Sequence, residues 1–147
     1  MSLYQKLQQR VEENKPILVG MIGIGKFGSM YLAQVPNTLG VEVVGVADLS
    51  PSQAKSNILQ VGWDGERLSA DSLNEAFSLG RTYVTDDWEA LVEHPEIDVI
   101  VESTDSPTDA VDHILAAFAH GKHVVNVTVE ADAFCGPLLA KKASSAG

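Results

Sequence analysis

The residues whose types and spacing suggest chemistry are Gly23-Ile24-Gly25-Lys26-Phe27-Gly28 and, further along, Asp48. In a G-x-G-x-x-G array the first glycine permits a tight turn and the second lets a ligand approach bare backbone. The third lets the following helix lie close against a strand. Amides around Lys26 and Phe27 would open that helix and turn their N–H groups, with the positive end of the helix dipole, toward an anion. Asp48 stands twenty residues after Gly28, where a carboxylate can accept hydrogen bonds from ribose hydroxyls. Glycine spacing alone also arises in flexible turns for steric reasons. The order strand, loop, helix, strand, acid gives it meaning, and it implies a diphosphate-linked nucleotide, NAD or NADP.

Asp48 would repel a 2′-phosphate, which favours NAD. Ser50, Ser52, Gln53 and Lys55 lie just beyond and could hold that phosphate if Asp48 turned aside, but they read equally well as a capped helix start with a solvated lysine. Glu102-Ser103-Thr104-Asp105-Ser106-Pro107 follows an apolar run, at the strand edge where ligands sit in open parallel sheets. These groups, Ser103 and Thr104 above all, could line the nicotinamide ribose, although Ser106 also reads as a helix cap and Asp105 as a turn residue. Asn126, Thr128, Glu130 and Asp132 could reach nicotinamide, substrate or metal, or form an acidic solvated turn. Of these, Asn126 is the cofactor candidate. His94, His113, His120 and His123 lack metal-ligand spacing and read as structural or surface residues, and no metal site is expected. Cys135 has no base nearby in sequence and reads as a packed thiol.

Periodicity supplies the elements that must position these groups. Ser2 to Asn14 predicts a helix with Leu3, Leu7 and Val11 on one face and a Ser2/Gln5 capping box, ended by Pro16. Ile17 to Ile22, Val41 to Ala47, Tyr83 to Thr85, Ile97 to Val101 and His123 to Val129 are strand candidates. Between them, Phe27, Met30, Tyr31 and Gln34 fall at helical spacing. A second helix starts at Ser50-Pro51-Ser52-Gln53, read as cap, first-turn proline and box partner, with Ala54, Ile58 and Val61 inward. Gly62 to Ala70, containing Trp63, reads as an irregular excursion, followed by a short helix with Leu73, Ala76 and Phe77. Asp86 and Glu89 are cap candidates for a helix presenting Trp88, Leu91 and Val92 to the core. Near Pro107 a helix carries Val111, Ile114, Leu115 and Phe118 inward and stops at Gly121. Leu138 and Leu139 belong to a last helix running to Gly147. Five alternations of strand and helix predict an α/β fold of Rossmann type, a doubly wound parallel sheet in three α/β/α layers.

At 147 residues, 45% hydrophobic and 20% charged, the chain has the size and composition of one globular domain, residues 1–147, with residues 1–15 as an N-terminal helix. A formal charge of -10 opposes attraction to nucleic acid and to anionic lipid. One cysteine precludes an internal disulfide framework, and neither a signal peptide nor an apolar run of membrane-spanning length is present, so a cytoplasmic location is expected.

Val19 to Gly28, the Val46-Ala47-Asp48 strand end and Ala119-His120-Gly121-Lys122-His123-Val124-Val125 together resemble the N-terminal domain of homoserine dehydrogenase-like oxidoreductases. With the N-terminal helix and Val129-Glu130-Ala131-Asp132, the chain is similar to the DRL group, the deoxyxylulose-phosphate-reductoisomerase-like proteins, whose larger members carry a catalytic domain and often a SAF domain. The resemblance implies NAD(P)H-dependent reduction of a small carbonyl substrate, in some members coupled to skeletal rearrangement. It also implies a second, catalytic domain beyond residue 147 that supplies acid, base or metal and excludes water. An apolar face left by that domain would favour a homo-oligomer. Two other functions use the same pattern: a non-catalytic nucleotide-sensing or partner-binding module, and a methyl-donor-binding domain, although the complete glycine array suits a diphosphate better.

Overall fold

The computed structural model describes residues 1–147. Helix α1 (Leu3–Glu12) precedes strand β1 (Ile17–Ile22), which the glycine bend joins to α2 (Lys26–Gln34) and a short 3-10 turn (Val35–Asn37). Strand β2 (Val41–Ala47) leads to α3 (Pro51–Gln60), a 3-10 turn (Gly65–Leu68), α4 (Leu73–Leu79) and β3 (Tyr83–Thr85). Helix α5 (Trp88–Glu93), β4 (Val99–Glu102), α6 (Pro107–Ala119), β5 (His123–Asn126) and α7 (Val129–Ala146) complete the chain.

The five strands form one sheet in the order β3-β2-β1-β4-β5, and every neighbouring pair is parallel. The chain therefore starts in the middle of the sheet, works to one edge, and returns to build the other half. Between β1 and β4 lies the point where strand order reverses, the crevice where ligands bind in such sheets.

Alternation along the strands divides the core between two faces. Val19, Met21, Val43, Val46 and Val101 meet Leu32, Ile58 and Trp63 on the α2/α3 side. Ile22, Val44 and Ile100 meet Leu73, Leu91, Val92 and Ala117 on the other. Side chains buried as completely as Met21, Leu32, Ile58 and Leu91 each contribute about 1.5–3 kcal/mol by leaving water. The three-layer Rossmann-type fold expected from the strand pattern is thus the observed one.

Local expectations need correction in several places. Strand β4 begins at Val99: the Asp98 amide still donates to the Leu18 carbonyl at 2.9 Å, but the Leu18 amide donates to the Asp98 carboxylate, also at 2.9 Å, instead of to backbone. Strand β5 stops at Asn126, whose side-chain oxygen accepts from the Thr128 amide and turns the chain into α7 at Val129. Asp87, not Asp86, caps α5 by accepting from the Ala90 amide. Ser50 is the first flanking residue of α3 but makes no capping hydrogen bond, since its own amide is drawn to Asp48. Helix α6 is rotated from expectation: Ala110, His113, Ile114 and Ala117 are its buried residues, and Val111, Leu115 and Phe118 are only half-buried. Helix α2 buries Gly28 and Leu32, while Phe27 and Met30 face out. In α7 only Leu139 of the Leu138/Leu139 pair is buried, and the helix is broken at Cys135 two residues before Pro137. Helix α1 forms with its Ser2/Gln5 capping box, but Leu3 is 73% exposed and the helix buries no residue.

The excursion at Gly62 to Ala70 is well anchored. Trp63 is buried and donates its indole N–H to the Leu32 carbonyl at 2.6 Å, and the Arg67 guanidinium lies 4.4 Å above the indole ring.

Candidate cofactor site

Strand β1 ends at the sheet's centre, and Gly23 turns the chain out of it with φ at +90°, a conformation that L-residues resist. Its amide still donates to the Ala47 carbonyl at 2.8 Å, tying the bend to the end of β2. A Cβ on Gly23 would lie 2.8 Å from the Thr104 nitrogen, and one on Gly28 would lie 2.8 Å from the Gly23 carbonyl oxygen. Both glycines are required by the fold's own close approaches. Gly25 is not: it flanks the start of α2, no side chain caps that end, and a Cβ there would meet only the Asp105 carboxylate at 3.8 Å. The space beside Gly25 belongs to a cleft, and the uncapped amides at Lys26 and Phe27 face an end with no acidic residue in its first turn. That arrangement suits a diphosphate.

Asp48 emerges from β2 directly beside the bend. Its Oδ2 accepts from the Ile24 amide at 2.9 Å and its Oδ1 from the Ser50 amide at 2.9 Å, which fixes the carboxylate while leaving lone pairs for hydroxyl donors. The side chain of Asn57 adds a bond to the Ile24 carbonyl at 3.3 Å. The glycine array and the acid that follows it by twenty residues are therefore one hydrogen-bonded unit.

A cleft of about 610 Å³ opens at this unit, a size common for small-ligand and cofactor sites. Its walls come from the ends of β1, β2, β3 and β4 and the start of α6. Its charged lining is four carboxylates, Asp48, Asp86, Asp105 and Asp109, with neither lysine nor arginine. A second cleft of about 340 Å³ shares Gly25, Ser103, Thr104 and Asp105 with the first and continues past Lys26 and Phe27 to Thr128 and Glu130. The glycine bend is the seam between the two.

Gly23, Ile24, Gly25, Asp48, Ser103 and Thr104 line the first cleft, and Lys26 and Phe27 line the second. Gly28 lies beneath the bend. The Ser103 hydroxyl is already engaged, donating to the Gly23 carbonyl at 2.7 Å, so this residue braces the bend. Asn126 lines neither cleft; its amide group donates to Thr128 and to the Asp132 carboxylate, holding the entry to α7. Ser52, Gln53 and Lys55 line neither cleft, and Gln53 is turned to Asn57 at 2.9 Å.

Sequence reasoning missed a buried polar cluster behind the seam. Glu102, the last residue of β4, is 0% exposed. Its Oε1 accepts from the Thr104 hydroxyl at 2.5 Å, the Thr104 amide at 3.3 Å and the His113 ring nitrogen Nδ1 at 3.2 Å. Its Oε2 accepts from the Thr128 hydroxyl. Burial pushes the Glu102 carboxyl upward, but the hydrogen bonds from His113, Thr104 and Thr128 outweigh it and hold the group below its ordinary range, ionised at neutral pH. The His113 ring is also packed against Trp88 at 4.5 Å, and both residues line the first cleft. A glutamate closing an otherwise apolar strand, and a histidine at the inward spacing of Ala110, Ile114 and Ala117, were the available signals.

A parallel sheet in this order, a glycine bend at its switch point and an acid from the adjoining strand define a Rossmann-type dinucleotide-binding domain. Residues 20–147 match the family described as homoserine dehydrogenase, NAD binding domain, and the chain belongs to it. Among solved structures it is similar to a homoserine dehydrogenase from Thiobacillus denitrificans, at 25% identity and a TM-score of 0.69 over 90% of this chain and 28% of that one. It also has the fold of biliverdin reductase from Synechocystis sp. PCC 6803, solved with biliverdin and NADP+, at 22% identity and a TM-score of 0.58 over 90% of this chain and 36% of that one. The myo-inositol dehydrogenase from Lactobacillus casei, solved with NAD(H) and myo-inositol, shares the fold at 20% identity and a TM-score of 0.57, over 76% of this chain and 28% of that one. The chain thus spans about a third or less of the length of these proteins. No curated protein matches it significantly. No helix is long and apolar enough to cross a membrane.

Proposed function

We propose that this chain is the cofactor domain of an NAD-dependent oxidoreductase. The observation that carries the reading is the bond from the Ile24 amide to Asp48, which puts the diphosphate cradle and the ribose-binding acid side by side. In this reading Gly23, Ile24, Gly25, Lys26, Phe27 and Gly28 surround the diphosphate, and Asp48 takes the adenosine ribose hydroxyls. The adenosine half then extends along the cleft of Asp86, Trp88 and Asp109. The nicotinamide half passes Ser103 and Thr104 toward Thr128, with Asn126 behind it. The bound dinucleotide supplies a hydride acceptor or donor; the chain's part is to hold it and orient its ring.

NAD is preferred to NADP, because the four carboxylates of the first cleft oppose a 2′-phosphate and no cation there offsets them. The substrate is a small carbonyl or hydroxyl compound. The finer placement with DRL-type reductoisomerases rests on the likeness of the N-terminal helix and the segment at 129–132. A second domain completes the substrate site in this proposal. Supporting it, Phe27, Met30 and Val129 line the second cleft yet are 45%, 59% and 66% exposed, an apolar rim suited to being covered. Single-domain organisation over residues 1–147 and a cytoplasmic setting belong to the same proposal, as does self-association through that rim where no second domain covers it; nucleic acid and membrane partners do not.

Calorimetric titration of the folded chain tests it. NAD+ should bind with a micromolar dissociation constant, and NADP+ about tenfold or more weakly. Absence of binding to folded protein, or a preference for NADP+, contradicts the reading.

A further inference from the structure

The buried Glu102 cluster is not used by the cofactor reading, although Thr104 and Thr128, which bond its two oxygens, both line the nicotinamide-side cleft. The carboxylate therefore stands one side chain behind the cleft wall. Apart from the hydrogen bond with the His113 ring, it meets only hydroxyl and amide donors, and no lysine or arginine lies within salt-bridge distance. On the surface of that cleft Asp105 and Glu130 are opposed by a single cation, Lys26, at the start of α2. The region where the nicotinamide would lie is thus net negative, and one of its charges is sealed from water.

Resting on the cofactor reading above, we infer that Glu102 is an electrostatic positioning residue that makes this site favour the cationic nicotinamide ring of NAD+ over the neutral ring of NADH. A buried charge acts through a medium of low effective dielectric, so a unit charge on the ring within a few residues' reach changes binding by about tenfold or more. Charges in water, such as Asp105 and Glu130, act less and are screened by salt. The same carboxylate orients the Thr104 and Thr128 hydroxyls. Glu102→Gln keeps the shape and one of the two acceptor oxygens while removing the charge, and affinity for the ring-less ADP-ribose reports any purely structural effect. A tenfold preference for NAD+ lowers the potential of the bound couple by about 30 mV and makes bound NADH the stronger hydride donor.

The test measures dissociation constants of the full chain for NAD+, NADH and ADP-ribose, the last reporting the adenosine-diphosphate half without the ring. NAD+ should bind about tenfold more tightly than NADH. In E102Q that ratio should fall to within about twofold, with ADP-ribose affinity changed by less than about twofold. On the unmodified chain, which needs no variant to fold, the preference should persist at about 0.5 M salt, because a buried charge escapes screening. An unchanged ratio in E102Q, a wild-type ratio near one, or loss of the preference in salt overturns the inference while leaving the cofactor reading intact. Failure of all three ligands to bind folded protein overturns both.

Discussion

Gly23, Gly25 and Gly28 share one bend but answer to different neighbours, and substitutions should separate them. A side chain at Gly23 meets the Thr104 backbone and forces a positive φ, so Gly23→Ala should cost roughly 2–4 kcal/mol in urea denaturation. A side chain at Gly25 enters open cleft. Gly25→Val should therefore leave the urea midpoint nearly unchanged and weaken NAD+ binding about a hundredfold, as read by calorimetry. Glu102 makes a different prediction at this scale. Its folded-state carboxyl is held below its ordinary value of 4.5, so its ionised form contributes stability that is fully present above that value. That contribution is lost as the pH falls below 4.5 through the lower folded-state value. Urea midpoints measured from pH 7 down to 3 should drop in that acid window, and E102Q should flatten this part of the profile.

Strand and helix order was readable because each element carries a strong periodic or punctuation signal, and the glycine bend was readable because its steric demand is written in residue type. The acid at Asp48 was readable from spacing, since one βαβ unit fixes the distance along the chain. Faces of individual helices were less legible. Helix α6 offers Val111, Leu115 and Phe118 as the larger apolar residues, but close packing on the sheet selects Ala110 and Ala117, and the Glu102 bond draws His113 inward. Caps failed where several acceptors competed: Asp86 and Asp87 are equivalent in sequence, and only geometry gives the Ala90 amide to Asp87. The Trp63 segment was illegible because its partner, the Leu32 carbonyl, is thirty-one residues away. Trp63→Phe should lose that hydrogen bond and part of the packing, costing roughly 2–3 kcal/mol in urea denaturation without altering nucleotide affinity.

As a whole, the molecule opens its two clefts at the carboxyl edge of the sheet, where the ends of β1, β2 and β4 meet, and the proposed function requires anion binding there despite a net charge of -10. In the proposed reading, backbone N–H groups and the helix dipole supply local positive potential for the diphosphate, while the surrounding carboxylates oppose an extra phosphate. The opposite edge is tied structurally: buried Lys122 donates to the His94 carbonyl and Asp98 receives the Leu18 amide, well removed from the clefts in chain topology. The central claim is that the bend at Gly23 to Gly28, clamped to Asp48, holds the diphosphate and ribose of NAD+. Amide NMR of the folded chain during NAD+ titration tests it most directly. The account predicts saturable, micromolar shifts concentrated at Ile24, Gly25, Lys26 and Phe27 and at the residues flanking Asp48. Shifts confined to other surfaces, or none at millimolar NAD+, would contradict it.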